Sequence, residues 1–385
     1  MKNISKPYID QITPYVPGKP IEEVKRELGL RRVIKLASNE NPLGTSRKVR
    51  RAIEDFADQV HLYPDGACFE LRKTLASRLG VREKEIIFGN GSDELIDLLV
   101  KGFVREGDKV ISSEKSFLEY ELVSRVGGAD FTEIPMQDFR FDLKAISAAI
   151  DAKTKIVFIA NPNNPTGTYV SRPELDEFLD SVPQNVLICL DEAYDDFVEA
   201  EDFPDSLFYV KLERPNVIVL RTFSKSYGLA GLRIGYGIAC AALIEYLGKV
   251  RQPFNVNSLA QYAALAALDD EDYLNKTKRV VSEGRDYLYR KLDRLKVKYI
   301  PSQANFILID AEYNADNVFQ ALLRRGIVVR SMRAYGLKDY IRVSVGLGRE
   351  NRCFVREFKR LIRQIRKGRP ILQDESLKGD ILPNE

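Results

Sequence analysis

Six short apolar runs recur between Glu85 and Ala239, and they constrain the fold more than any other feature. They read EIIF from Glu85, DKVISS from Asp108, KIVFIA from Lys155, NVLICL from Asn185, NVIVL from Asn216 and IGYGIA from Ile234. The stretches between them carry apolar residues at helical spacing. Strands that are apolar on both sides and separated by helices belong in a mainly parallel sheet covered on both faces. The expected fold class is therefore α/β, a three-layer αβα arrangement. Beyond Pro253 long helical patterns mix with shorter strands (NFILID, GIVVR and YIRVSVG), which predicts a smaller α+β C-terminal domain. The 385 residues leave room for two or three units. The expected division is an arm or lid over 1–45, a large domain over 46–250, a small domain over 251–367 and a tail over 368–385. Ile21 to Leu28 is a short helix candidate within the arm. No internal repeat is visible.

Composition removes several kinds of chemistry. His61 is the only histidine, so a His-rich metal site is excluded, and a nucleophile–histidine pair would rest on that one residue. Cys68, Cys189, Cys240 and Cys353 lie far apart without a CxxC pair, which fits reduced thiols better than zinc or disulfides. No metal is expected. The net charge of +3 gives no reason to expect nucleic acid or an anionic membrane as partner. The longest apolar or Gly run, Ile234 to Ile244, is shorter than the ~18 residues a membrane span needs. The opening MKNISKPYIDQ lacks a signal-peptide core, so a cytoplasmic location is expected. A last helix from Glu350 to Lys367 sets Phe354, Phe358, Leu361, Ile362 and Ile365 on one face. Lys359, Arg360, Arg363 and Arg366 lie on the other, a solvated basic face over a core stripe.

Chemistry is left to Lys, Asp, Tyr, Arg and a borrowed cofactor, and four segments supply it. In FGNGSDELIDLL, from Phe88, a strand ends, Gly89 and Gly91 permit a tight turn, and Ser92 or Asp93 can cap a helix. Free amides at a helix start suit a phosphate, although many such turns bind nothing. In ANPNNPTG, from Ala160, two Asn-Pro steps make a rigid turn where α/β folds place ligands, and Asn164 offers an amide to a phenolate. In LICLDEAYDDF, from Leu187, Asp191 ends an apolar strand with Tyr194 three residues on. A carboxylate buried there needs a cation, either a Lys or Arg or a protonated pyridine nitrogen. In TFSKSYGLAGLRIGYG, from Thr222, Lys225 lies between two serines and Arg233 follows. A lysine there is either a surface turn residue or, with its pKa lowered, an amine able to condense with an aldehyde.

Taken together the four read as a site for pyridoxal 5′-phosphate. The helix at Ser92, Ser224 and Arg233 receive the phosphate. Asp191 keeps the ring nitrogen protonated, Asn164 and Tyr194 hold the ring oxygen, and Lys225 holds the aldehyde carbon.

The set GSDE, NPNNPTG, DEAY and SKSYGLAGLRIG, in this order, resembles the fold-type I pyridoxal phosphate aminotransferases. More narrowly, PYVPGKP from Pro14, LASNENPLG from Leu36 and YPDG from Tyr63 are similar to the histidinol-phosphate aminotransferase family. The resemblance runs from about Pro7 to about Lys367. It implies a homodimer with composite sites, in which Tyr63 reaches the cofactor phosphate of the other subunit and Phe117 stacks on the pyridine. It implies that Arg342 grips the anionic end of the substrate, with Arg330 as a second arginine on the same phosphate. Tyr15 and Asn39 fall in runs that close over the substrate. Two positions depart from the family: Lys115 stands where a proline is usual, and Phe117 where tyrosine is frequent; stacking needs only the ring.

The activity that this resemblance implies is transfer of an amino group from histidinol phosphate to 2-oxoglutarate. Its products are imidazole acetol phosphate and glutamate, in histidine synthesis, with Lys225, Asp191 and Tyr194 as catalytic residues. Two readings share the same site, an aromatic amino-acid aminotransferase and an amino-acid phosphate decarboxylase. A transcription regulator with an aminotransferase-like domain would need a DNA-binding domain, for which the roughly 45 residues before the first core helix are too few.

Overall fold

The described chain of the computed structural model comprises residues 20–372 with Ile4, Lys6, Tyr8, Ile9 and Ile12. It enters through helix α1 (Ile21–Leu28) and a two-residue strand, β1 (Ile34–Lys35), before α2 (Arg47–Phe56) and α3 (Phe69–Leu79). The central sheet then forms from β2 (Ile86–Gly89), β3 (Lys109–Ser113), β4 (Asp130–Ile134), β5 (Thr154–Ala160), β6 (Leu187–Asp191), β7 (Val217–Thr222) and β8 (Gly235–Ala239). Their order across the sheet is β2-β8-β7-β6-β5-β3-β4. β8 runs antiparallel to both neighbours, while the remaining pairings are parallel.

The fully apolar runs predicted as strands are buried on both sides, with Ile156 to Ile159 and Ile188 to Leu190 almost completely covered. The edge strand β4 escaped the sequence reading. Its sequence DFTEI buries only Ile134 deeply, because the edge faces water and the strand is polar.

Parallel pairing lines up the carboxyl ends of the middle strands. Ala160 of β5 lies opposite Asp191 of β6, and Asp191 opposite Leu220 of β7. Loops leaving these ends therefore meet in one place.

The smaller sheet has the order β12-β13-β10-β9, antiparallel throughout, built from β9 (Tyr299–Ile300), β10 (Phe306–Asp310), β12 (Arg330–Ser331) and β13 (Tyr340–Ser344). Its register sets Arg330 directly opposite Arg342. Between β10 and β12 in sequence, β11 (Ile327–Val328) pairs in parallel with β1, so the segment around β1 is stitched to the later domain. The Leu36 amide donates to Val328 O and the Ser344 amide to Leu36 O, which carries Ala37 to Asn39 toward the strand ends.

Among the described residues two large apolar cores hold these parts, with two small clusters beside them. The larger core continues past the expected division at residue 250. Ala260, Ala263, Ala264 and Ala267 of the helix Ser258–Leu268 belong to it, and Tyr262 stacks on Phe56 of α2 with ring centroids 4.2 Å apart. The second core gathers Phe306, Ile307, Ile341 and Val343 with Phe354, Phe358, Leu361 and Ile362 of the helix Gly348–Ile365. On the polar side of that helix Arg360 pairs with Glu357, and Arg366 beyond its end pairs with Glu312. Among the described residues no helix is long and apolar enough to cross a membrane.

Candidate active site

A cavity of about 290 Å³ lies where the carboxyl ends of β5, β6 and β7 meet the small-domain strands. Asp191 forms its floor. One carboxylate oxygen accepts the Tyr120 hydroxyl at 2.7 Å and the other the Ala193 amide at 3.2 Å. Tyr120 is itself fixed by stacking on Phe158, with centroids 4.7 Å apart and planes 2° from parallel. Among the described residues no cation pairs with Asp191. The adjacent Glu192, fully buried, has Arg221 at 2.8 Å. Burial lifts the Asp191 carboxyl to about 6, and the Tyr120 and Ala193 bonds hold it down only in part. A buried acceptor with neutral partners suits a ligand that brings its own cationic N–H.

Lys225 projects from the turn after β7. The Ser224 amide donates to Thr222 Oγ1 at 3.1 Å and the Gly228 amide to Lys225 O at 3.1 Å, which holds the turn. The Lys225 ammonium lies 5.6 Å from the centroid of the Tyr194 ring, and no carboxylate pairs with it among the described residues. Burial, then Arg342, lowers it to about 8; Asp93 opposes the shift and Arg233 adds to it. An amine poised near neutrality serves as nucleophile and as proton carrier.

The third wall is an anion pocket. Helix α4 (Ser92–Phe103) starts after Gly91, whose φ of +82° has no side-chain cap behind it. The amides of its first turn are therefore free to face a ligand. A Cβ on Gly91 would run into the Arg233 guanidinium, and one on Gly235 would come 2.6 Å from the Ser92 amide nitrogen. Arg233 and Ser224 line the same wall, and Arg233 meets Asp93 at 2.8 Å.

The small domain and the segment after β1 close the cavity. Arg342 is buried; it donates to Asn164 Oδ1 and, at 2.8 Å, to Ala37 O. No carboxylate pairs with it among the described residues, and its Nε has no partner there. Arg330 lines the cavity beside it. Asn39 donates from Nδ2 to the Tyr194 hydroxyl at 3.0 Å, and its own carbonyl is held by Asn305 Nδ2 at 3.0 Å. Burial pushes the Tyr194 phenol up to about 12, against Arg342 and the Asn39 bond, so the hydroxyl stays neutral and able to donate.

The cavity thus gathers all but three of the residues singled out in the sequence. Gly91 stands just behind it. Tyr63 does not line it; the residue is 84% exposed and its ring stacks on Phe254 with centroids 5.0 Å apart. Tyr15 lies outside the described residues. Phe117 lines the cavity and meets Tyr120 edge-on at 5.6 Å. Lys115 takes a left-handed φ of +52°, and its carbonyl accepts from Asn163 Nδ2 at 3.0 Å. Sequence reasoning missed Tyr120 and Glu119. The i, i+3 spacing of Phe117 and Tyr120 at a helix start was the available signal for the first.

The sequence pattern of the family described as aminotransferase class I and II matches residues 31–353. The histidinol-phosphate aminotransferase of Moorella thermoacetica is 50% identical over 91% of this chain and 91% of its own. Histidinol-phosphate aminotransferase 2 of Carboxydothermus hydrogenoformans is 48% identical over 92% and 98%. Among solved structures, the histidinol-phosphate aminotransferase of Sinorhizobium meliloti, in complex with pyridoxal-5′-phosphate, superposes with a TM-score of 0.86 at 29% identity. That match covers 94% of this chain and 98% of the other. An aspartate aminotransferase of Thermus thermophilus, at 21% identity and a TM-score of 0.80, shares the fold over 93% and 99%. The chain belongs to the class I and II aminotransferases and, at this identity and coverage, to their histidinol-phosphate aminotransferase family.

Proposed function

We propose that this protein moves the amino group of histidinol phosphate to 2-oxoglutarate, giving imidazole acetol phosphate and glutamate, with pyridoxal 5′-phosphate at Lys225. The observation that carries the reading is the buried Asp191 carboxylate, without a paired cation among the described residues, in one cavity with an amine lowered to about 8. When bound, the cofactor supplies an aldehyde that takes up the amino group and a cationic ring that accepts the electron pair released at the substrate carbon.

The residues fit that group. The first amides of α4, with Ser224 and Arg233, suit its phosphate; Gly91 leaves room where a side chain would collide. Asp191 would hold the proton on the ring nitrogen, and a cation beside it would draw its carboxyl back toward the ionised form. Tyr194 and Asn164, which line the same cavity, would hold the ring oxygen, and the Phe117 ring would stack on the pyridine. Lys225, once released, takes the proton from the substrate carbon as base and returns it as acid.

The substrate phosphate falls to Arg342 and Arg330. A planar carboxylate is satisfied by one bidentate arginine, whereas a phosphate monoester presents three oxygens and up to two charges. Arg330→Leu should therefore lower kcat/KM for histidinol phosphate roughly 10- to 150-fold, the worth of a charge-assisted hydrogen bond. The half-reaction with phenylalanine should fall much less. Equal losses for both substrates would point to a carboxylate role and an aromatic aminotransferase, and no loss for either would remove the second cation from the phosphate pocket.

A homodimer completes the reading. Val60, Leu62, Tyr63, Phe69, Phe254 and Tyr262 are all exposed in the single chain, an apolar surface of the kind a second copy covers. Tyr63 then serves the cofactor phosphate of the partner. Tyr63→Phe, itself impaired, mixed with Lys225→Ala under subunit exchange gives hybrid dimers in which one site carries both defects and the other neither. Activity should exceed the sum of the parents. Proven exchange without that gain would put Tyr63 in the site of its own subunit.

A further inference from the structure

Three carboxylates line the cavity among the described residues, and two of them are engaged. Asp93 meets Arg233 and Asp191 takes the Tyr120 hydroxyl. The third, Glu119, has no hydrogen-bond or ion-pair partner among the described residues. It opens helix α5 (Glu119–Val126), two residues after the cavity-lining Phe117 and next to the residue that holds Asp191. It is half-buried, unlike an acid placed at a helix start only to meet the dipole; Glu121, on the same turn, has Arg125 at 2.7 Å. Burial, with Asp93 and Asp97 close by, raises the Glu119 carboxyl above its ordinary value. A group so placed gains from any N–H or cation brought to it.

The substrate of the reading above has three polar parts. Its amine would take the place of Lys225 at the cofactor aldehyde, and its phosphate falls to Arg330 and Arg342. The imidazole ring remains, a donor that is partly cationic near neutral pH. We propose that the Glu119 carboxylate accepts the ring N–H of the imidazole and so selects the imidazolyl amine over an aryl amine of the same shape. This rests on the substrate reading given under Proposed function. A phenyl ring offers no N–H and leaves the carboxylate in a filled cavity without water or partner. A site built to hydrogen-bond rejects an analogue that lacks the group far more strongly than an apolar pocket rejects a change of size.

The test compares two substrates that differ only in the ring, histidinol phosphate and 2-amino-3-phenylpropyl phosphate, on the holoenzyme. In the unaltered protein kcat/KM should favour histidinol phosphate. In Glu119→Leu that preference should shrink about tenfold or more, through loss of the imidazole substrate and gain of the phenyl one. Glu119→Gln, which keeps the shape and an acceptor oxygen but not the charge, should fall between, and the visible spectrum of each holoenzyme checks that it has folded and loaded. An unchanged preference in both variants, with histidinol phosphate still a substrate, overturns the role of Glu119 and leaves the functional reading standing. If the unaltered protein turns over neither ester, the functional reading falls and the role of Glu119 falls with it.

Discussion

Lys225→Ala should yield a protein that still takes up pyridoxal phosphate and transfers almost nothing. The α4 amides, Ser224 and Arg233 that suit the phosphate are untouched by the substitution, so retention weakens without vanishing. What disappears is the only amine lining the cavity among the described residues. Proton transfer by a positioned side chain is worth up to about 10,000-fold, and loss of the covalent attachment adds to it. Single turnovers with glutamate, followed through the visible spectrum of the holoenzyme, should slow by at least that factor. A rate within tenfold of the parent would mean that another group moves the proton.

Asp191→Asn should cost several orders of magnitude in the same half-reaction, each factor of ten being about 1.4 kcal/mol of transition-state stabilisation. Asparagine keeps the shape and can still accept from the Tyr120 hydroxyl. It cannot balance a protonated ring nitrogen, so the ring accepts the electron pair poorly. The cofactor-free protein gives an independent reading of the same residue. Its carboxyl sits at about 6 in the folded state against an ordinary 3.8, so the folded chain binds more protons than the unfolded one between those values. Stability from this residue is therefore lost as pH rises from about 4 to 6 and stays lost above. At pH 8 the Asn variant without cofactor should be the more stable by on the order of 1–3 kcal/mol, and the difference should close near pH 4. A parent that is the more stable at pH 8 would reveal a cationic partner for Asp191.

Placement of a side chain at the end of a strand or in the turn after it was legible in the sequence. Asp191, Asn164 and Lys225 each follow an apolar run, so the run announces where the side chain emerges. The sheet that lines up those runs then brings them together. Partnerships across long stretches of chain have no such signal. Tyr120 meets Asp191 across 71 residues, and Asn39 meets Tyr194 across 155. No period or composition marks either pair. Arg330 and Arg342 were visible as arginines on strands, but their side-by-side placement comes from the antiparallel register of β12 and β13. The attachment of β1 to β11 was hidden because two-residue strands carry no alternation to read. Tyr63 stays apart from the cavity of its own chain, exposed and stacked on Phe254, and nothing in YPDG announces that placement.

Borohydride reduction of the holoenzyme, followed by mass spectrometry of its peptides, tests the central claim most directly. Lys225 should bear the pyridoxal phosphate on its side chain, so the peptide that contains Thr222 to Arg233 should carry the reduced cofactor, one per chain. Histidinol phosphate added before the reductant should prevent that labelling, because its amine displaces Lys225. Recovery of the label on a different lysine, or labelling unaffected by histidinol phosphate, would contradict it.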